Sequence, residues 1–271
     1  MTGRLYVCAT PIGNLEDVSL RLLRILREVD AIAAEDTRRT QKLLNHHGIR
    51  AKLVSYHDAN ERAQTRHLIE RIRSGDRIAL VSDSGTPSIS DPGFLLVRAC
   101  IAENLPVETV PGPSAVVAAL VVSGLPTARF SFEGFLSKKE GERSRRLEKL
   151  RDEDRTLIFY EAPGRVRGTL ETIGSVLGNR RVAVARELTK IHEEVIRGSV
   201  SEVIAQIEEE EVRGEAVILV EGAAAVQDLP TAVEAARGLV AGGLPKGKAA
   251  AKAAAQHGVA RREIYQRLLE D

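Results

Sequence analysis

Short apolar runs alternate along this chain with longer amphipathic stretches, and the two periods predict its elements. Residues 5–9, 31–34, 53–54, 78–81 and 107–110 read as buried strands. Helical patterns fall between them at 18–29, near Thr40, at 61–74, after Pro92 and, in small residues, after Pro113. Such alternation implies a mostly parallel sheet, joined by right-handed crossovers and covered by helices on both faces.

The stretch from Gly124 to Thr127, with Pro126 inside it, breaks the rhythm and predicts a hinge. A second unit follows, with strands at 130–134, 156–160, 182–186 and 217–220. Its helices fall at 139–150, 166–177 and 200–209, and a further segment lies around 195–198. After Gln227 the pattern is helical only. The expected units are an α/β domain over 1–123, a second α/β domain over 124–226 and a helical extension over 227–271. In the extension Ala254, Gly258 and Ile264 are spaced like the packing positions of a helix-turn-helix, and a plain helical hairpin fits equally well.

Composition narrows the class. At 43% hydrophobic, 271 residues can fill proper cores. No apolar run approaches the roughly 20 residues of a membrane span, and no signal-peptide pattern precedes the first strand, so the expected compartment is the cytoplasm, with no membrane partner. Cys8 and Cys100 are too few and too distant for a disulfide framework, and no histidine stands at ligand spacing, so no metal site is expected. The net charge of +1 says nothing for nucleic acid, but the basic residues cluster. From 137 to 151 seven Lys/Arg, Lys138 and Lys139 among them, face three acids. From 246 to 271 six, including Arg261 and Arg262, face three. Both stretches are candidate phosphate contacts, against the plainer reading of solvated helices. At 3% aromatic and no tryptophan, base stacking is not expected to dominate.

Sites in open α/β sheets lie beyond the carboxyl ends of the strands. Here those loops are Thr10-Pro11-Ile12-Gly13-Asn14, Glu35-Asp36-Thr37-Arg38-Arg39, the twelve residues from Ser82 to Gly93, and Pro111-Gly112-Pro113-Ser114. Glycine permits close backbone approach and proline stiffens the turn, so four such loops together suggest a rigid backbone floor for a small ligand. Neither a dinucleotide fingerprint nor a Walker-type loop occurs.

The chain resembles the tetrapyrrole-methylase superfamily, in its ribosomal RNA small subunit methyltransferase I branch. The resemblance covers about the first 222 residues and is carried by LYVCATPIGNLEDVSLR, AAEDTRRT, VSDSGTPSISDPG, VPGPSAVVAALVVSGLP, FEGFLSKK, FYEAPGR and ARELTKIHEE. It implies a two-domain α/β fold, with a parallel-sheet N-terminal domain, a mixed-sheet C-terminal domain and a small helical extension, assembled as a homodimer. It further implies S-adenosylmethionine as cofactor and methylation of a cytidine ribose 2′-hydroxyl in the decoding region of 16S rRNA, free or in the small ribosomal subunit. Cofactor contacts implied for this chain are Pro11, the backbone at Ser84, Gly85 and Thr86, then Ser114, Ala115, Tyr160 and Ala216. Pyrrole-methylating relatives carry a Gly-Gly-Asp-Pro-like stretch where this chain has Ser84-Gly85-Thr86-Pro87, so the acid of that stretch is missing here.

A ribose hydroxyl needs a base, whereas a pyrrole carbon does not. The charged strand-exit residues therefore matter. Asp36, Glu187 and Lys190 are the candidates for proton removal, and Arg38, Arg39 and Arg165 for phosphate contact. The simpler alternative pairs these charges as salt bridges, with Asp36 or Thr37 capping a helix. Two rival functions stay open, a tetrapyrrole C-methyltransferase on the same fold and a noncatalytic nucleic-acid-binding protein acting through the C-terminal helices.

Overall fold

The computed structural model describes residues 3–209, 214–223 and 229–270. The expected boundary at 226/227 lies outside the described residues. The first sheet holds β1 (Arg4–Cys8), β2 (Ala31–Ala34), β3 (Leu53–Ser55), β4 (Arg77–Val81) and β5 (Val107–Val110) in the order β3-β2-β4-β1-β5. Every pairing in it is parallel. All four residues of β2 and the last four of β4 are buried, as strands covered on both faces must be.

One face carries α1 (Leu20–Glu28) and α2 (Thr37–His46), and the other α3 (Glu61–Arg73) and α4 (Phe94–Ala102). Helix α1 starts two residues later than the apolar pattern. The Ser19 hydroxyl accepts from Leu22 N–H at 3.0 Å and fixes the start there. Asp36 caps α2 in the same way, accepting from Arg38 N–H at 2.8 Å.

The second sheet has the order β6-β7-β10-β8-β9, from β6 (Phe130–Phe135), β7 (Thr156–Glu161), β8 (Arg181–Arg186), β9 (Glu194–Ser199) and β10 (Ala216–Val220). Only β6 and β7 run parallel, so this sheet is mixed. The segment expected around 195–198 is the edge strand β9. Helices α6 (Glu140–Glu148), α7 (Val166–Leu177) and α8 (Val200–Glu209) cover one face. The other face is covered by α5 (Ala115–Ser123), which comes before the hinge in sequence. Val116, Ala119 and Leu120 of α5 bury against Ile158, Ala183, Ala185, Val217 and Leu219. The helix thus bolts the second sheet to the first, and Gly124, left-handed at φ +75°, ends it.

The C-terminal unit consists of α9 (Leu229–Ala241), α10 (Lys246–His257) and α11 (Arg261–Leu269) around its own core of Ala232, Val233, Ala236, Ala250, Ala253, Val259, Ile264 and Leu268. Gly258, at φ +64°, makes the turn between α10 and α11. Ile264 belongs to that core and Ala254 packs on it.

Candidate active site

The loops beyond the first sheet are tied together by main-chain groups. Thr10 N–H donates to Gly85 O at 2.8 Å and Gly85 N–H donates back to Thr10 O at 3.1 Å, a two-way bridge between the loops after β1 and β4. Gly85 sits at φ +77°, a conformation that favours glycine. Thr86 Oγ1 donates to Pro113 O at 3.2 Å and brings in the loop after β5. The loop after β2 joins through Asp83 N–H donating to Glu35 Oε2 at 3.2 Å and Asp36 N–H donating to Asp83 Oδ1 at 2.9 Å.

The second unit closes over this floor. Asn14 N–H donates to Thr189 Oγ1 at 3.0 Å, and Gly13 lies so close to residues 188–190 that a Cβ there would meet Leu188 O at 2.7 Å. Between the two units is a cavity of about 400 Å³. Its lining combines Ser84, Gly85 and Thr86, Ser114 and Ala115 at the start of α5, Tyr160 and Glu161 from β7, Glu187 and Lys190 beyond β8, and Ala216 from β10. Tyr160 is held edge-on to Phe132, ring centroids 4.8 Å apart, and tilted to Phe135 at 5.5 Å, so the scarce aromatics gather here.

Its charge is lopsided. Glu35, Asp83, Asp91, Glu161, Glu187 and Glu215 line it, against Arg39 and Lys190. Glu161 is buried and bound by Thr169 Oγ1 at 2.7 Å and Arg165 Nη1 at 3.3 Å. Glu187 holds Lys190 Nζ at 2.8 Å. Burial pushes Glu35 above the usual carboxylate range, with the Asp83 charge adding to it. Burial pushes Asp91 up to about 7, with Glu35, Asp83 and Glu215 adding and a hydrogen bond from Ser82 opposing. Burial also raises the Tyr160 phenol to about 12. This donor set suits a small cation with polar ends: acids for positive charge, backbone groups for polar atoms, and Ile12, Ala115, Leu188 and Val217 for an apolar middle. The residues therefore fit S-adenosylmethionine, whose sulfonium and ammonium are both cationic.

Of the cofactor contacts expected from sequence, Ser84, Gly85, Thr86, Ser114, Ala115, Tyr160 and Ala216 are brought together on this cavity, while Pro11 is buried and outside the lining. Glu187 and Lys190 are on it. Asp36 is not, and its carboxylate is committed to Arg38 at 2.7 Å, which holds it well below the usual range. Arg39 reaches the cavity and lies 3.5 Å from Asp83. Arg38 projects into solvent. Arg165 turns inward, donating to Leu136 O at 2.9 Å and Ser137 O at 3.2 Å as well as pairing with Glu161. Lys138, Lys139, Arg261 and Arg262 are exposed and away from the cavity. Among the described residues no group of three or more His, Cys, Asp or Glu is arranged to hold a metal.

Asp91 is not among the acids named from the sequence. Its position follows from Ser88 and Ser90, both left-handed at φ +72° and +63°, which fold the loop back toward the cavity. Nothing in the residue types signals that fold-back.

Residues 4–204 match the family model described as Tetrapyrrole (Corrin/Porphyrin) Methylases, and residues 227–271 match the RsmI C-terminal HTH domain. The ribosomal RNA small subunit methyltransferase I of Synechocystis sp. is 46% identical, covering 99% of this chain and 98% of that protein. The protein of the same name from Escherichia coli O157:H7 is 47% identical, covering 99% and 95%. A solved uroporphyrin-III C-methyl transferase from Thermus thermophilus, complexed with S-adenyl homocysteine, superposes with a TM-score of 0.57 at 21% identity, over 81% of this chain and 97% of that one. That likeness concerns the fold. With a family model over most of its length and relatives nearly half identical from end to end, the chain belongs to the tetrapyrrole methylases and, among them, to the ribosomal RNA small subunit methyltransferase I family.

Proposed function

We propose that this protein transfers a methyl group from S-adenosylmethionine to small-subunit ribosomal RNA, and that the acceptor is the ribose 2′-hydroxyl of a cytidine in the decoding region of 16S rRNA. The observation that carries the first part is the acidic, backbone-floored cavity between the two sheets in a chain of this family. Bound there, the cofactor would supply an already electrophilic methyl group, leaving the protein to orient it and to exclude water. Ser84, Gly85, Thr86, Ser114 and Ala115 would hold it through backbone groups, with Tyr160 and Ala216 closing the far side. Glu187 and Lys190 neutralise each other at the rim, which limits what either offers as a base. Asp36 serves α2 and Arg38.

RNA phosphates are repelled by the acidic cavity and attracted to basic surface outside it. In this reading Arg38, Lys138, Lys139, Arg261 and Arg262 outside the cavity, with Arg39 on its lining, hold the RNA backbone, and the C-terminal helices extend that surface. We take the protein to be cytoplasmic and homodimeric, organised as units over 1–123, 124–226 and 227–271. Among the described residues no helix is long and apolar enough to cross a membrane.

The test is methyl transfer from labelled cofactor to small subunits lacking the modification, with the product mapped by mass spectrometry. Methylation of a cytidine ribose in the decoding region is expected. Label on a base moves the target atom, and label on a tetrapyrrole with none on RNA refutes the reading.

A further inference from the structure

A second cleft, open and about 410 Å³ in volume, adjoins the cofactor cavity on the side of the first sheet. Its walls include Asp58 from the loop before α3, Glu61 and Arg62 from the first turn of α3, Pro92 from the loop before α4, and Phe94 and Leu95 from the first turn of α4. Asp91 lines both cavities. It is the one acid of the six on the cofactor cavity that does so, and it makes no ion pair with any described residue. The others are committed elsewhere or face the first cavity only: Glu161 to Arg165 and Thr169, Glu187 to Lys190, Glu35 and Asp83 to main-chain N–H groups, and exposed Glu215 to the first cavity alone. Phe94 is 61% exposed, and Arg62 is exposed with no ion pair among the described residues.

We propose that the second cleft receives the target nucleoside, its base against Phe94 and its phosphate at Arg62, and that Asp91 at the junction accepts the proton of the methylated hydroxyl. This rests on the rRNA reading above. The hydroxyl O–H bond breaks and its proton passes to the Asp91 carboxylate, while an oxygen electron pair forms the new O–CH₃ bond. The methyl–sulfur bond breaks with its electrons kept by sulfur, leaving a neutral thioether, and Asp91 returns the proton to water. Charge balances, since a carboxylate and a sulfonium are consumed and two neutral groups remain.

The surroundings tune Asp91 for this work. Glu35, Asp83 and Glu215 face it from the loops after β2 and β4 and from the start of β10, Tyr160 from β7, and Asp58, Glu61 and Arg62 from α3 and the loop before it. Its carboxyl, lifted to about 7, sits where a general base is effective at neutral pH.

Four measurements on the full chain test this: S-adenosylhomocysteine affinity, RNA affinity without cofactor, single-turnover methyl transfer from pH 6 to 9, and thermal melting. For Asp91→Asn both affinities should stay within about threefold, while the rate falls by at least about 100-fold and its rise through neutral pH disappears. A loss under about tenfold, or an intact pH inflection, overturns the base assignment. Phe94→Ala should weaken RNA binding at least about fivefold without changing cofactor affinity. Unchanged RNA affinity in that variant overturns the cleft assignment, whatever Asp91→Asn does. If wild-type protein methylates no RNA, the rRNA reading falls and this proposal with it. If wild type and Asp91→Asn methylate equally, only the role of Asp91 falls.

Discussion

Replacing Gly13 by alanine places a methyl carbon 2.5 Å from Lys190 Cγ, 2.7 Å from Leu188 O and 2.8 Å from Thr189 Oγ1. All three belong to the loop of the second unit that lines the cofactor cavity. Ordinary contacts begin near 3.4 Å, so the two loops must part by roughly half an ångström or more. Turning Thr189 aside does not avoid this, because its hydroxyl accepts the Asn14 N–H bond, worth about 0.5–1.5 kcal/mol. Overpacking of this kind costs about 1–3 kcal/mol. The opposing loop already holds Glu187 and Thr189 in left-handed conformations, at φ +50° and +65°, and yields before the sheets do. The displacement therefore goes into opening the cavity. Calorimetric titration with S-adenosylhomocysteine should show affinity reduced about 5- to 100-fold, with Tm lowered by several degrees at most. RNA affinity, governed by phosphate contacts elsewhere, should hold. Affinity within twofold of wild type at an unchanged Tm would refute the claim that the two loops meet at Gly13.

Gly85→Val should abolish cofactor binding in a folded protein, because φ +77° disfavours a branched residue and its Cβ meets Ile12 Cγ2 at 3.3 Å; wild-type affinity would remove this loop from the site. Arg165→Ala strands the buried Glu161 carboxylate and should cost on the order of 3 kcal/mol in denaturant unfolding while leaving the salt dependence of RNA binding unchanged. A shallower salt slope at full stability would return Arg165 to the phosphate. Arg38→Ala, by contrast, should reduce that slope by about one unit with little change in stability, since Arg38 is 87% exposed; an unchanged slope would show that it meets no phosphate. Finally, the raised carboxyl of Asp91 means that the folded apo protein binds more protons than the unfolded chain between about pH 4 and pH 7, so stability falls as pH rises through that window. Asp91→Asn should show a smaller fall, keeping the part due to the raised Glu35, and urea curves at pH 4.5 and 8 that shift equally for both proteins would contradict it.

The central strands β2 and β4 of the first sheet were legible because burial on both faces writes them as short apolar runs, and the converging loops followed from the strand ends. Helix α5 was visible as a helix, but a segment apolar all round does not say which sheet it covers, and packing places it on the second. Side-chain roles were harder to read. Arg165 has the composition of a phosphate contact, yet it stands four residues after Glu161 across the end of β7, where its ion-pair partner is that buried acid. Asp36 looked like a base and is consumed by its own helix. Asp91 was not named from the sequence because its place depends on two left-handed serines, and serine, unlike glycine or asparagine, does not signal that conformation.

The two-way bridge between Thr10 and Gly85 is made entirely of main-chain atoms. With glycine kept at 85, the bridging N–H and C=O groups do not depend on side-chain identity, so mutation of the surrounding side chains can drift a long way without erasing the anchorage. The part of the cavity meant for a shared reagent is thereby insulated from genetic change, while the parts that choose an acceptor, written in side chains, stay free to diverge. A lineage built this way can exchange one substrate for another and keep its methyl donor throughout.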